Sequence, residues 1–156
     1  MSEVKGVDHI GIAVKDLESS IKKFEKVLGA ELVARIEGEL VGEKMTAAYL
    51  KLGDQVIVLD ASNDPDGFIN RFIAKRGEGI NHLGLEVKDL KAFAQTAKDE
   101  GLQVVYEVEV NPYRKEMVLH PKAFCGILLQ VIEWSPEAGE TFEERIQNMI
   151  AWSENR

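Results

Sequence analysis

Gly6-Val7-Asp8-His9-Ile10-Gly11-Ile12-Ala13-Val14-Lys15-Asp16-Leu17 decides the fold, because it comes back. Gly79-Ile80-Asn81-His82-Leu83-Gly84-Leu85-Glu86-Val87-Lys88-Asp89-Leu90 repeats it without a gap, at a spacing of 73 residues from His9 to His82. A repeat of this length points to a duplicated supersecondary unit, neither copy of which buries its apolar face alone. His9 and His82 are therefore equivalent positions that a pseudo-twofold relation brings together. Within each copy the alternation reads as a strand. Ile10, Ile12 and Val14 point to one face, where a helix should cover them, and His9, Gly11 and Ala13 point to the other. The second set is small and polar, a composition that leaves room for something.

Outward from these strands the two halves follow one order. Asp16 caps a helix with Leu17, Ile21, Phe24 and Leu28 on one side, and Gly29 ends it. Strands follow over residues 31–36, 45–52 and 55–60, with a turn or loop over 38–42 and a tight hairpin at Gly53-Asp54. Phe68, Ile69, Phe72 and Ile73 stand at helical spacing in a short connecting helix, and Gly77-Glu78-Gly79 joins the halves. The second half repeats strand, helix and three strands. Its helix stripe is Leu90, Phe93, Ala94 and Ala97, closed by Gly101, and its later strands lie over 103–108, 116–120 and 127–133. The fold class is α+β: two tandem βαβββ modules forming a curved sheet around a central cleft, plus a C-terminal helix. The modules are assigned to residues 1–76 and 77–134, and the helical extension to 135–156. Thr141 and Glu144 form a capping box for the last helix. Its stripe of Phe142, Ile146, Met149 and Ile150 needs a cover. The protein's own sheet is the expected cover, and a second copy in a homodimer is the alternative.

A chain of 156 residues with 45% hydrophobic content can bury a proper core. Its net charge of −8, with no basic block, argues against nucleic-acid or anionic-membrane partners. One cysteine, Cys125, excludes an internal disulfide and is expected as inert packing at a tight glycine turn. With no apolar signal segment at Met1–Lys5 and no membrane-length apolar run, a cytoplasmic protein is expected.

Several stretches carry a family resemblance: "VDHIGIAVKDLESSIKKFEKVLG", "YLKLGD", "NDPDGFINRFIAKRGEGINHLGLEV" and "HPKAFCGILLQV". Over roughly residues 6 to 133 the chain resembles the vicinal oxygen chelate superfamily, and within it the methylmalonyl-CoA epimerase and glyoxalase I branch. The resemblance implies a divalent metal (zinc, cobalt, nickel or manganese) held by one inward side chain from the first and last strand of each half. Those positions are His9, Val58, His82 and Gln130, so His9, His82 and Gln130 are the expected ligands. Valine cannot ligate, and Gln130 stands where a glutamate is usual. The epimerases' carboxylate base aligns with Ala47. Ala47, Tyr49 and Val58 then line the substrate position, and Glu86, on the face of His82, is the remaining inward carboxylate and the candidate catalytic group. The resemblance implies a metal-dependent isomerase or lyase acting on a small acyl thioester or hemithioacetal. The alternative is a non-catalytic small-molecule-binding protein of the same fold.

Overall fold

The computed structural model describes residues 3–40 and 43–156; Met1, Ser2, Val41 and Gly42 lie outside the described residues, and so does the end of the expected 38–42 loop. The elements run β1 (Val4–Ala13), α1 (Leu17–Leu28), β2 (Glu31–Leu40), β3 (Glu43–Leu52), β4 (Gln55–Ala61), α2 (Phe68–Arg76), β5 (Gly79–Val87), α3 (Leu90–Asp99), β6 (Val104–Asn111), β7 (Arg114–Leu119), β8 (Leu128–Trp134) and α4 (Phe142–Glu154). This is the βαβββ order twice, with one linking helix and one terminal helix, in a mixed sheet. The α+β expectation holds. Two compact units divide the chain: His9–His82, and Met1–Asp8 with Leu83–Arg156.

In the first unit the strand order is β2-β3-β4-β1. The β1–β4 pair is parallel, and β2–β3 and β3–β4 are antiparallel. Helix α1 starts where Asp16 accepts the Ser19 N–H at 3.0 Å, and it stops at Gly29, whose φ of 66° is open to glycine at little cost. Its apolar stripe meets the predicted strand face: Ile21, Val14, Ala48, Leu50, Ile57 and Leu59 are buried together, with Ile10, Ile12 and Phe24 against them. Burying Ile21 alone is worth about 1.5–3 kcal/mol. Helix α2 packs on the opposite face of the same strands, where Ile69 and Ile73 cover Ala13 and Met45. So part of the room left by small residues on that face is filled by the chain itself.

The second unit orders its strands β5-β8-β7-β6. Asp89 caps α3 by accepting the Ala92 N–H at 2.9 Å, repeating Asp16. Leu90, Ala94, Ala97, Met117, Leu119, Leu129 and Val131 form its core. Both halves of the Thr141–Glu144 capping box are present on α4. Of the α4 stripe, Ile146 is fully buried within the single chain, and Phe142, Met149 and Ile150 are half-buried. Among the described residues no helix is long and apolar enough to cross a membrane.

Two expectations are corrected. The turn expected from Gly38 starts later, because β2 continues to Leu40 with Gly38 paired to Met45. A glycine without positive φ keeps its ladder hydrogen bonds and does not by itself end a strand. Cys125 is exposed, not packed. It takes a left-handed φ of 52°, in a turn closed by the Gly126 N–H donating to Pro121 O at 2.9 Å, and this turn carries its side chain outward.

Candidate functional site

His9 and His82 meet inside the first unit. Both are buried, and their Nε2 atoms stand 3.0 Å apart with the rings edge to face. Gly11 makes the approach possible. A Cβ at that position would lie 2.0 Å from His82 Cε1 and 2.4 Å from its Nε2. The small inward residue two places after His9 is thus the seat of the second imidazole.

The far side of the His82 ring is also engaged. Its Nδ1 lies 3.1 Å from Asn81 Oδ1, an atom that can only accept. Asp60 Oδ2 is 3.8 Å from the same nitrogen, with both side chains buried. With Asn81 Oδ1 as the acceptor, the neutral ring carries its hydrogen on Nδ1 and its lone pair on Nε2, toward His9. A second group that fixes a histidine tautomer in this way is the usual companion of a metal-ligating imidazole. His9 and His82 are thus the residues that would hold a divalent metal on this face. The donor set here is two neutral nitrogens. Among the described residues no cluster of three His, Cys, Asp or Glu side chains is placed to hold a metal ion.

The three residues expected to line the substrate position share this face. Gly11 pairs with Val58 and Val58 with Tyr49, while Ala13 pairs with Asp60 and Asp60 with Ala47. Val58 is buried, and Ala47 and Tyr49 are half-buried. Asp60 is the residue that sequence reasoning passed over. It stands two places beyond Val58, so strand alternation alone puts it on the histidine face, and an acid ending the apolar run Val56-Ile57-Val58-Leu59 was the available signal. One step beyond the Ala47–Asp60 pair a cleft of about 840 Å³ opens, and Glu37, Glu43, Asp64 and Lys44 are among its lining residues.

The other expected residues belong to the second unit. Glu86 is held there by charge: Arg145 donates to its two oxygens at 3.1 Å each, and Lys5 adds a contact at 2.9 Å. Arg145 also lies over the Trp134 ring, whose Nε1 donates to Asp8. Both of its oxygens are therefore taken up by these two cations. Gln130 is buried on β8 and donates from Nε2 to Glu116 Oε2 at 3.0 Å, and Arg114 Nη2 reaches the same oxygen at 2.7 Å. Sequence reading did not find this buried Arg114–Glu116–Gln130 cluster. Alternating charges on a strand ordinarily mean a solvated face.

The chain matches the family model described as the Glyoxalase/Bleomycin resistance protein/Dioxygenase superfamily over residues 8–117. It is 30% identical over 129 residues to the ethylmalonyl-CoA/methylmalonyl-CoA epimerase of Cereibacter sphaeroides, covering 80% of this chain and 95% of that protein. The crystal structure of methylmalonyl-CoA epimerase from Mycobacterium tuberculosis superposes with a TM-score of 0.77 at 31% identity, covering 88% of this chain and 93% of that one. A solved methylmalonyl-CoA epimerase in complex with methylmalonyl-CoA and an ammonium ion aligns with a TM-score of 0.73 at 25% identity, over 86% of this chain and 97% of that one.

Proposed function

The chain belongs to the glyoxalase/bleomycin resistance/dioxygenase superfamily, and from that premise we propose that it is a divalent-metal-dependent isomerase of the epimerase type, acting on a small acyl thioester. The observation that carries the reading is the buried His9–His82 pair, with its Nε2 atoms 3.0 Å apart and Asn81 at the far nitrogen of His82. A divalent cation held there would supply Lewis acidity to a carbonyl oxygen. The relatives support the substrate class: similar proteins are named for ethylmalonyl-CoA and methylmalonyl-CoA, and one is solved with the latter bound.

What the chain's own residues do is narrower than a two-base scheme. His9 and His82 offer their Nε2 lone pairs to the cation. Asn81 and Asp60 hold His82 from behind. Ala47 and Val58 offer no proton and no charge, only a small apolar wall beside Tyr49. Losing one general acid or base costs about 10²–10⁴-fold, so turnover should be slow. The place of action in this reading is the cytoplasm, which the free Cys125 suits.

A second reading has its own support. Ala47 and Val58 on the histidine face favour a protein that binds the thioester without turning it over. The test is α-carbon deuterium exchange of methylmalonyl-CoA in D₂O, followed by proton NMR beside a metal analysis of the same sample. Exchange above the buffer rate that needs zinc, cobalt, nickel or manganese, and that His9→Ala and His82→Ala each abolish, supports the isomerase. Saturable binding with no exchange in the metal-loaded protein replaces it with the binder. Turnover of a hemithioacetal instead would move the chemistry to a lyase.

A further inference from the structure

Helix α2 is capped from another element. Its N-cap residue is Gly67, which brings no side chain to the orphan N–H groups of the first turn. Glu43, at the start of β3, supplies the acceptor instead: its Oε2 takes the Phe68 N–H. A carboxylate suits that end of a helix, where the aligned peptide dipoles leave partial positive charge. Glu43 is buried, so water competes little for the bond. Gly67 has to stay small for this arrangement. A Cβ there would fall 2.0 Å from Glu43 Oε1, although the backbone at that position (φ −72°, ψ 164°) suits any residue. The carboxylate, and not the conformation, is what asks for glycine.

The same bond reaches the cleft. The connector 62–67 is tied to α2 by Asn70, whose Nδ2 donates to Ser62 O at 2.9 Å and to Asp64 O at 2.7 Å. The Gly67 N–H adds a bond to Asp64 O at 3.1 Å. Asn63 and Asp64 of this connector line the cleft, together with Glu43, Met45 and Thr46 of β3. Toward β3 the connector has a longer contact, Ser62 Oγ to Lys44 O at 3.3 Å.

We propose that Glu43 is a positioning residue: by capping α2 from β3 it latches the helix and its connector to the strand as one body, and so sets the width of the cleft beside the histidine face. The latch stands on contacts within one unit. That the cleft takes the acyl part of a thioester rests on the epimerase-type reading above. In that reading Glu43 touches no reacting atom, and it governs which acyl groups fit.

Three variants separate latching from helix stability. Glu43→Ala removes the cap. Glu43→Gln keeps an oxygen that accepts the same N–H. Glu43→Ala/Gly67→Asp relieves the clash and caps α2 locally, through the Ile69 or Asn70 N–H, without restoring the bond to β3. It also carries the test if Glu43→Ala alone does not fold. Amide exchange by NMR reads the latch at Phe68, and the Asn63 and Asp64 amide shifts read the cleft wall. Phe68 should exchange at least about fivefold faster in Glu43→Ala and in the double variant, the weight of a typical N-cap, and stay within about twofold in Glu43→Gln. The Asn63 and Asp64 signals should move in the first two and hold in the third. Unmoved Phe68 exchange in both Glu43→Ala proteins overturns the latch. Wall signals that return to their wild-type positions in the double variant overturn the positioning role and leave Glu43 a helix stabiliser.

Deuterium exchange of methylmalonyl-CoA reads the consequence. KM should rise at least about fivefold in Glu43→Ala and in the double variant, with the saturated rate within about twofold, because the histidine pair is untouched. An unchanged KM with the wall signals moved overturns the control of acyl fit. If the wild type neither binds nor exchanges this thioester, the epimerase-type reading fails by itself, and the Phe68, Asn63 and Asp64 signals still decide the latch and the wall.

Discussion

Gly11→Ala should dismantle the histidine pair while leaving the strand in place. Gly11 lies in β1 without positive φ, so alanine meets no backbone strain there. The clash is with the His82 ring, three of whose atoms would fall within 2.0–2.4 Å of the new Cβ. The ring is buried, with His9 and Asn81 at its two nitrogens, so it must leave its seat. Overpacking costs about 1–3 kcal/mol, and a buried imidazole stripped of its partner costs about 1–3 kcal/mol more. Replacing glycine in a strand returns about 0.5–1 kcal/mol. The net loss is about 1–5 kcal/mol. At about 2–4 °C per kcal/mol for a chain of this size, the melting temperature should fall by about 2–20 °C. Gly38→Ala is the matched control. It too lies in a strand, but no atom stands within 4 Å of its added Cβ, and it should be neutral or slightly stabilising. Calorimetry on the two variants, with metal binding measured on both, checks the argument. A Gly11→Ala protein that melts with the wild type and keeps its metal affinity would show that His82 does not occupy the space above Gly11, and the account of the site would fail with it.

Val58→Glu should convert the two-nitrogen set into one with an anion. Val58 pairs with Gly11, beneath the His82 ring, so divalent metal should bind at least tenfold more tightly, and the buried charge should make the metal-free protein melt lower. Isothermal titration with Zn²⁺ and melting with and without metal read both effects, and equal melting in the two states defeats the prediction. The last helix should respond to acid. Backbone N–H groups of Thr141 and Glu140 hold the Glu144 carboxyl below its usual range. A folded-state pKa below the unfolded one gives stabilisation that is complete above the unfolded value and is lost as pH falls through the folded value. Amide exchange at the start of α4 should therefore quicken on acidification below the ordinary glutamate range, and Glu144→Gln should flatten that dependence.

The fold was legible because its signals are redundant. Asp16 and Asp89 cap equivalent helices, Gly29 and Gly101 follow their ends, and the β1 and β5 segments keep register over the whole repeat. Any one of these could mislead, and together they admit one reading. The site was legible in part. The equivalence of His9 and His82 follows from the repeat alone, whereas the seat that Gly11 provides depends on which side chain falls above it. Asp60 was hidden by attention to Val58, although the two share a face. Arg114 and Glu116 were hidden for a different reason. Charge on alternate strand positions reads as solvated unless one knows that those positions are covered, and coverage is a property of the assembled unit. Glu86 shows the reverse. Its position on the strand was read correctly, and Lys5 and Arg145, which determine its chemistry, lie far away in sequence.

His82 cannot serve two roles at once, and this sorts the remaining chemistry. Its Nδ1 hydrogen is committed to Asn81, with Asp60 behind, so all of its basicity is available at Nε2. A cation bound at that lone pair removes it as a proton acceptor. On the proposed reading the metal-loaded protein would then have to take the α-proton with some other group, and Ala47 and Val58 supply none. In the metal-free protein His9 and His82 share one hydrogen bond between their Nε2 atoms, so one imidazole donates and the other accepts. A carboxylate behind an imidazole stabilises the protonated ring, the arrangement that general-base histidines use. Metal content and proton exchange are therefore linked in a way that separates the readings. Exchange that rises with added metal requires a base outside the histidine pair. Exchange that falls as metal is added identifies His82 as the base.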